Sequence, residues 1–296
     1  MQPPSHPLTL SPSHPPTLTP YLAVFLAFAR NSLVRDMTFR GNFIIESISS
    51  LSWMLMNLGF YLLIFRYTDE IGRGTGWGQY EFFAFLATTL LVNSLVQAFF
   101  MPNCEEFSEL IRTGRLDFAL VKPIDTQFLV SLQKIDWSSL VNFAFGAGLL
   151  SFSLVQLARD PHQPFTLGPA QIVLYPLYVL CGVAILYSLM IALSATSIWL
   201  GRNQSLYDFW FYITNFSRYP MEIYGGNRAG NVLRTLFTWF IPVLVVVNVP
   251  ARIMVRPLND DAWPLALFAL VATAGSLLAS RWLFQRALAS YRSASS

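Results

Sequence analysis

Apolar and polar positions along this chain fall into long alternating blocks, with runs such as Leu140 to Leu157 and Leu265 to Ser280 nearly free of charge. A helix rises about 1.5 Å per residue and a bilayer core is about 30 Å thick, so blocks of about 20 such residues have the length of a membrane span. The pattern predicts an all-α integral membrane protein with six crossings. Five of them are read at 43–65, 82–101, 128–157, 170–200 and 263–284. Within the last, Ala272, Gly275, Ser276 and Ala279 form a small-residue surface suited to close helix contact.

Residues 201–261 admit two threadings. Hydropathy alone makes Asn231 to Val249 the fifth span. The alternative crosses at 205–219 and lets 221–255 dip into the outer leaflet and return, broken at Pro242 and Pro250, each of which removes a backbone donor. The second reading is adopted here. It keeps Arg234 at a headgroup, but it requires Asn203, Gln204, Asp208 and Asn215 in a span.

Before the first span, Leu22, Leu26, Ala29, Leu33 and Met37 recur at helical spacing, while Arg30, Arg35, Asp36 and Arg40 interrupt the segment too often for a crossing. Such a helix lies along the membrane surface, or packs on the bundle as an ordinary surface helix. Residues 1–20 hold seven prolines among Ser, Thr and His, a composition that predicts a disordered tail. No Lys or Arg precedes Arg30, so a secretory signal is not expected and the tail stays attached. Residues 291–296 form a second short tail.

Composition sharpens this picture. Hydrophobic residues make up 54% and charged residues 12%, with a mean hydropathy of +0.48, against roughly a quarter charged in soluble domains. The net charge of +3 gives no reason to expect nucleic acid. Arg30, Arg35, Arg40, Arg112, Arg115, Lys122, Lys134, Arg202, Arg281, Arg286 and Arg292 all fall on the side of the amino terminus. The positive-inside bias therefore places both termini in the cytoplasm of a cell-membrane protein. Cys104 and Cys181 sit too differently for a disulfide framework. Lys134 and Asp136 are expected to snorkel to the headgroups, and Glu46 and Arg66 to anchor the ends of the first span. Gly72-Arg73-Gly74-Thr75-Gly76 reads as a flexible hairpin, since it lacks the Gly-Lys-Ser/Thr that cradles phosphate.

The most specific signal lies between the second and third spans, from Asn103 to Ile124. Asn103 is expected to cap a short helix, with Glu105 and Glu106 in its first turn, Glu109 beyond, Arg112 near its end and Gly114 as its stop. The sequence Thr113-Gly114-Arg115-Leu116-Asp117, an apolar stretch and Lys122-Pro123-Ile124 resembles the cytoplasmic loop of type-2, exporter-like permeases of ATP-binding cassette transporters. Phe216 to Tyr224, with Tyr219-Pro220, followed by Phe240-Ile241-Pro242, Pro250 and Arg252, resembles the same family's aromatic-Pro segment and its return. Gly225-Gly226-Asn227 departs from it, standing where many relatives have another Pro. The resemblance covers about residues 21–290.

It implies a permease subunit that pairs with a second permease chain, as homodimer or heterodimer, and is driven by two separate ATPase subunits. The substrate would move outward. No G-x-x-x-x-G-K-[ST] occurs, so ATP and Mg belong to the partner, with no cofactor in this chain and no enzymatic role. The 103–114 helix would be the ATPase-docking lever, braced by the arginine-bearing helix of 21–40. Two readings from other classes stand beside it. One is a lipid-modifying membrane enzyme, in which Asp36, Glu46 and Asp117 gather at the inner face. The other is an ion-coupled transporter, disfavoured by the few charges deep in the spans and the lack of an interrupted-helix repeat. His6, His14 and His162 make no metal-site spacing. The aromatics Phe83, Phe85, Phe99, Phe100, Phe143, Phe145 and Phe152 line a route for an amphiphile or simply pack.

Overall fold

A computed structural model describes residues 18–72, 74–160, 167–201, 204–256 and 263–291. Most of the Pro-rich tail and of the last six residues, with His6, His14, Arg73, His162, Arg202, Asn203 and Arg292, lies outside the described residues. The chain forms α1 (Leu18–Thr38), α2 (Arg40–Ile64), α3 (Gln79–Phe99), α4 (Met101–Arg112), α5 (Arg115–Leu120), α6 (Thr126–Leu132) and α7 (Ser139–Ala158). It continues with α8 (Pro169–Ala195), α9 (Ser197–Leu200), α10 (Gln204–Thr214), α11 (Arg228–Thr235), α12 (Val243–Val255) and α13 (Trp263–Ser290). Among the described residues there is no strand.

Five helical stretches are long and apolar enough to span a membrane: 40–64, 79–112, 139–158, 169–200 and 263–290. The helix α3 is packed on most of its surface and touches α7, α8 and α12. By contrast, α2 buries only Met54 and Tyr61. The core of the bundle is thus α3, α7, α8, α12 and α13, with α2 at its margin.

The disputed region resolves through its contacts. A break at Ile241 and Pro242 bends 228–240 and 243–255 by 86°. Gln171, at the start of α8, donates to the Ile253 carbonyl (3.0 Å), and Arg256 donates to the Thr75 (3.2 Å) and Gly76 (3.1 Å) carbonyls between α2 and α3. At the other end of the segment, Ile223 lies beside Gly72, and the Glu222 carboxylate pairs with Arg252. Both ends of 221–255 therefore sit at one end of the bundle, opposite α4. A segment that leaves and returns on the same side, bent at Ile241 and Pro242, has the geometry of a re-entrant loop or a broken span, and α10 with the 3₁₀ turns of Asn215–Arg218 leads into it. At 11 and 4 residues these reach about 24 Å, short of the full core.

Three expectations about the helices are corrected. Pro250 does not break the return: it lies inside α12, which runs on to Val255. Proline leaves the carbonyl four residues earlier without its helical donor, here that of Val246. This carbonyl faces Gly182 of α8, where a Cβ would come within 2.6 Å of it, so only glycine lets the two backbones meet. The third predicted span is interrupted between Leu132 and Ser139. Finally, Gly275 of the Ala272–Ala279 surface has nothing within 4 Å of a built Cβ. Close packing occurs instead at Gly182 and at Gly146, whose Cβ would meet Leu90 at 3.1 Å and the Ala87 carbonyl at 3.3 Å.

The glycine turn is tied down rather than loose. Glu70 accepts from the Gly74 and Gly76 amides, and these bonds hold its carboxyl below the usual range. Thr75 donates to the Ile71 carbonyl (2.6 Å).

Candidate functional site: the α4–α5 corner

Helix α4 continues the direction of chain from α3 after a break at Phe100 and carries a strong division between its faces. One face is inserted. Phe107 is fully buried and meets Phe284 of α13 with ring centroids 5.8 Å apart. Cys104 is buried, its carbonyl accepting from Ser194 of α8 (3.5 Å).

Asn103 is not the cap. The helix starts two residues earlier with Pro102 in its first turn, a position that proline tolerates because its missing N–H has no helical partner there. Asn103 instead stitches α4 to the strand of chain before α7: its amide donates to the Phe99 (2.9 Å) and Lys134 (2.7 Å) carbonyls, and its oxygen accepts from the Lys134 amide (2.8 Å). Consequently Glu105 and Glu106 lie in the second turn. Glu105 is exposed, and Glu106 pairs with Lys134. Lys134 thus bonds within the protein rather than only snorkelling. Glu109 takes a two-pronged bond from Arg112, at 2.8 and 2.7 Å. Gly114 has φ of 69°, the left-handed conformation that ends a helix most easily at glycine.

After this turn the corner changes character. Leu116 is buried, but Phe118 and Val121 are 74% and 85% exposed. Arg112, Arg115 and Lys122 flank them. The result is a projecting apolar tip rimmed by cations, which sequence reasoning, looking to the glutamates, missed. Its signal was the apolar run Phe118 to Val121 between a glycine stop and Lys-Pro, too short to be core.

The corner rests on a polar network of sequence-distant groups. Asp125 caps α6 by accepting from the Phe128 amide (2.9 Å) and binds Arg281 of α13 with both oxygens, one at 2.9 Å. Arg281 also donates to Gln127 (3.0 Å), which donates to the Tyr187 hydroxyl of α8 (2.9 Å). Burial pushes the Asp125 carboxyl up, but Arg281 and the cap bond outweigh it and hold the group below its usual value. Helix α1 docks on the same stretch. Ser32 accepts from the Ile135 amide (3.0 Å), Arg35 donates to the Ile135 carbonyl (3.3 Å), and Trp137 donates to the Ala29 carbonyl (3.3 Å). Leu22, Leu26, Leu33 and Met37 remain exposed, as does Arg30, whereas Arg40, expected on this helix, instead opens α2 after the break at Phe39 and is exposed there.

The family model of the ABC-2 family transporter protein matches residues 51–295. The chain belongs to the ABC-2 transporter family. Residues 51–295 include the α4–α5 corner and the re-entrant segment, and leave α1 and the start of α2 outside. No curated protein and no solved structure matches the chain.

In this ABC-2 permease, Tyr219 and Pro220 lead into the re-entrant segment, Pro242 makes its bend and Pro250 lies within the returning helix. Asp36 and Glu46 do share a cleft of about 800 Å³ with Asp136, but Asp117 does not line it. The Asp136 carboxylate is taken up by Ser138 and Ser139. Among the described residues no group of three His, Cys, Asp or Glu is placed to hold a metal.

Proposed function

We propose that this chain is the membrane subunit of an ABC exporter, working with a second permease chain and two separate ATPase subunits that bind ATP and Mg. The supporting observation is the α4–α5 corner. Its inserted face is anchored to α8 and α13 through Phe107 and Cys104, while its tip projects Phe118 and Val121. A rigid body of this shape can pass a push at the tip directly to two spans. An apolar centre rimmed by Arg112, Arg115 and Lys122 suits a groove with an acidic border.

In this reading the corner, from Asn103 through Glu105, Glu106, Glu109, Arg112 and Gly114 to Lys122, faces the cytoplasm with both termini, and the re-entrant segment faces outward. Helix α1, with Arg30 and Arg35, lies at the inner surface together with Arg40 at the start of α2, and α1 braces the corner through Ile135. The positive-inside bias supports this orientation.

Co-purification tests it. Phe118→Asp with Val121→Asp should abolish recovery of the ATPase subunits, with membrane insertion unchanged. Undiminished recovery would take the docking role from the tip. A cysteine at position 113 labelled from outside intact cells would overturn the orientation.

A further inference from the structure

Between α2, α3 and α7, near the end of α10, lies a cleft of about 120 Å³. Its lining runs from Trp53 to Tyr61 on α2 and from Leu86 to Asn93 on α3, and is closed by Phe145, Arg218 and Tyr219. Tyr61 lies one turn from the end of α2 and Trp53 about three, which sets the cleft in the half of the bundle that holds the re-entrant segment. Most of this wall is apolar.

Two polar groups in it are unspent. Among the described residues, no carboxylate lies within ion-pair distance of Arg218, whose guanidinium lies 5.9 Å from the Phe211 ring centroid. The half-buried Asn93 amide has no hydrogen-bond partner among the described residues. An arginine inside a span normally faces a partner, a cavity or water. Arg218, exposed at the end of its 3₁₀ turn, lines this cavity, and among the described residues no carboxylate meets it there.

The cleft also has a continuation. Leu58 and Phe145 are shared with an apolar groove of about 430 Å³ formed by Leu62, Phe83, Gly148, Leu149 and Phe152. At about 30 Å³ per water in the liquid, 120 Å³ holds a headgroup of a few heavy atoms and not a whole lipid. The neighbouring groove is large enough for an alkyl chain and has almost no polar wall.

We propose that this paired cleft and groove bind an anionic amphiphile, with its phosphate or carboxylate head on Arg218 and Asn93 and its chain along Leu58, Phe145 and Phe152. A guanidinium offers paired donors matched to such oxyanions. The step from this site to the transported cargo rests on the transport reading. The binding itself does not.

The test uses the full chain in phosphatidylcholine nanodiscs without any ATPase, so its failure is separate from failure of the docking experiment. The probe is a diazirine-bearing dodecyl phosphate, with the same chain carrying a trimethylammonium head as control, and labelled peptides are mapped by mass spectrometry. The phosphate probe should label residues of the cleft and groove far more than the cationic one, and excess dodecyl phosphate should remove the label. Arg218→Gln should lower cleft labelling about tenfold, while Arg218→Lys keeps most of it and labelling on the exposed side of α13 stays constant. Asn93→Leu, which preserves the charge, should weaken it less. Phosphatidylglycerol added to the disc competes if the natural head belongs to bulk lipid, and fails to compete if it belongs to a single-chain amphiphile. Equal labelling by both heads, or no loss in Arg218→Gln and Asn93→Leu, would overturn the proposal. So would a Trp53→Cys chain that crosslinks to a second copy across an unlabelled cleft.

Discussion

The two ends of the bundle use the same chemistry, arginine against carboxylate, in opposite ways. At the end holding the re-entrant segment, Glu222 faces Arg252 and, at 3.7 Å, Arg256, with the Glu222 and Arg252 side chains only 18% and 26% exposed. Arg256 also lies 4.5 Å over the fully buried Trp77 ring and holds the glycine turn by its carbonyls. Here Glu222, Arg252 and Arg256 form a clasp among themselves, while Arg218 stands apart from it. At the α4 end, Asp125 and Arg281 are consumed likewise, but Arg115 and Lys122 are left on the surface beside an apolar tip, and Arg112, though bonded to Glu109, is 73% exposed. The clasp and the tip differ in how much of their charge is spent within the chain, and the tip is the part that leaves apolar side chains and cations exposed together.

The comparison is broken most severely at the clasp. Glu222→Gln leaves two part-buried guanidinium groups facing each other, and removing one partner of such a pair costs on the order of 3 kcal/mol. Thermal unfolding of the purified chain in detergent should fall accordingly. Adding Arg252→Met to Glu222→Gln should recover part of the loss, because an apolar replacement removes the uncompensated charge. If Glu222→Gln unfolds like the parent chain, this end is not held by its charges.

Asp125→Asn comes next. Arg281 is 41% exposed, so the loss should be only about 1 kcal/mol and shrink in high salt. The sign of its pH dependence is fixed by the lowered carboxyl. Stability from this pair is complete above the unfolded value near 4 and disappears as pH falls through the lower folded value. The difference in stability between parent and Asp125→Asn should therefore be constant at neutral pH and vanish in acid. A difference that grew on acidification would contradict the assignment.

Much of this architecture was legible in the chain, because a span announces itself by length and composition. The 86° bend was legible through Pro242, which removes a backbone donor within an apolar run. Pro250 misled because a proline breaks a helix only if its freed carbonyl has nowhere to go, and Gly182, 68 positions earlier, supplies the room. Asn103 misled because Pro102 permits a helix to begin before it. Neither Asp125 with Arg281, 156 residues apart, nor Glu222 with Arg252 could be paired from periodicity, which reports only neighbours on one helix. The exposed tip was hidden for another reason: Phe118 and Val121 look like core to any hydropathy scale, and only the fold leaves them uncovered.

The smallest effect is expected at Glu109, and it sharpens the contrast best. Its bond to Arg112 is two-pronged, at 2.8 and 2.7 Å. Yet its side chains are 42% and 73% exposed, against 18% and 26% at the clasp. In water the Coulomb gain is small, and holding two long side chains in one geometry costs entropy, so Glu109→Gln should leave thermal unfolding of the purified chain unchanged. Releasing Arg112 leaves the rim one cation stronger toward an acidic groove. Recovery of ATPase subunits with Glu109→Gln should therefore be equal to or above that of the parent chain, whereas Arg112→Gln should lower it, most visibly at low salt. If Glu109→Gln lowers recovery as much as Arg112→Gln does, the glutamate itself meets the partner, and the α4 end docks through its acids rather than through its cation-rimmed tip.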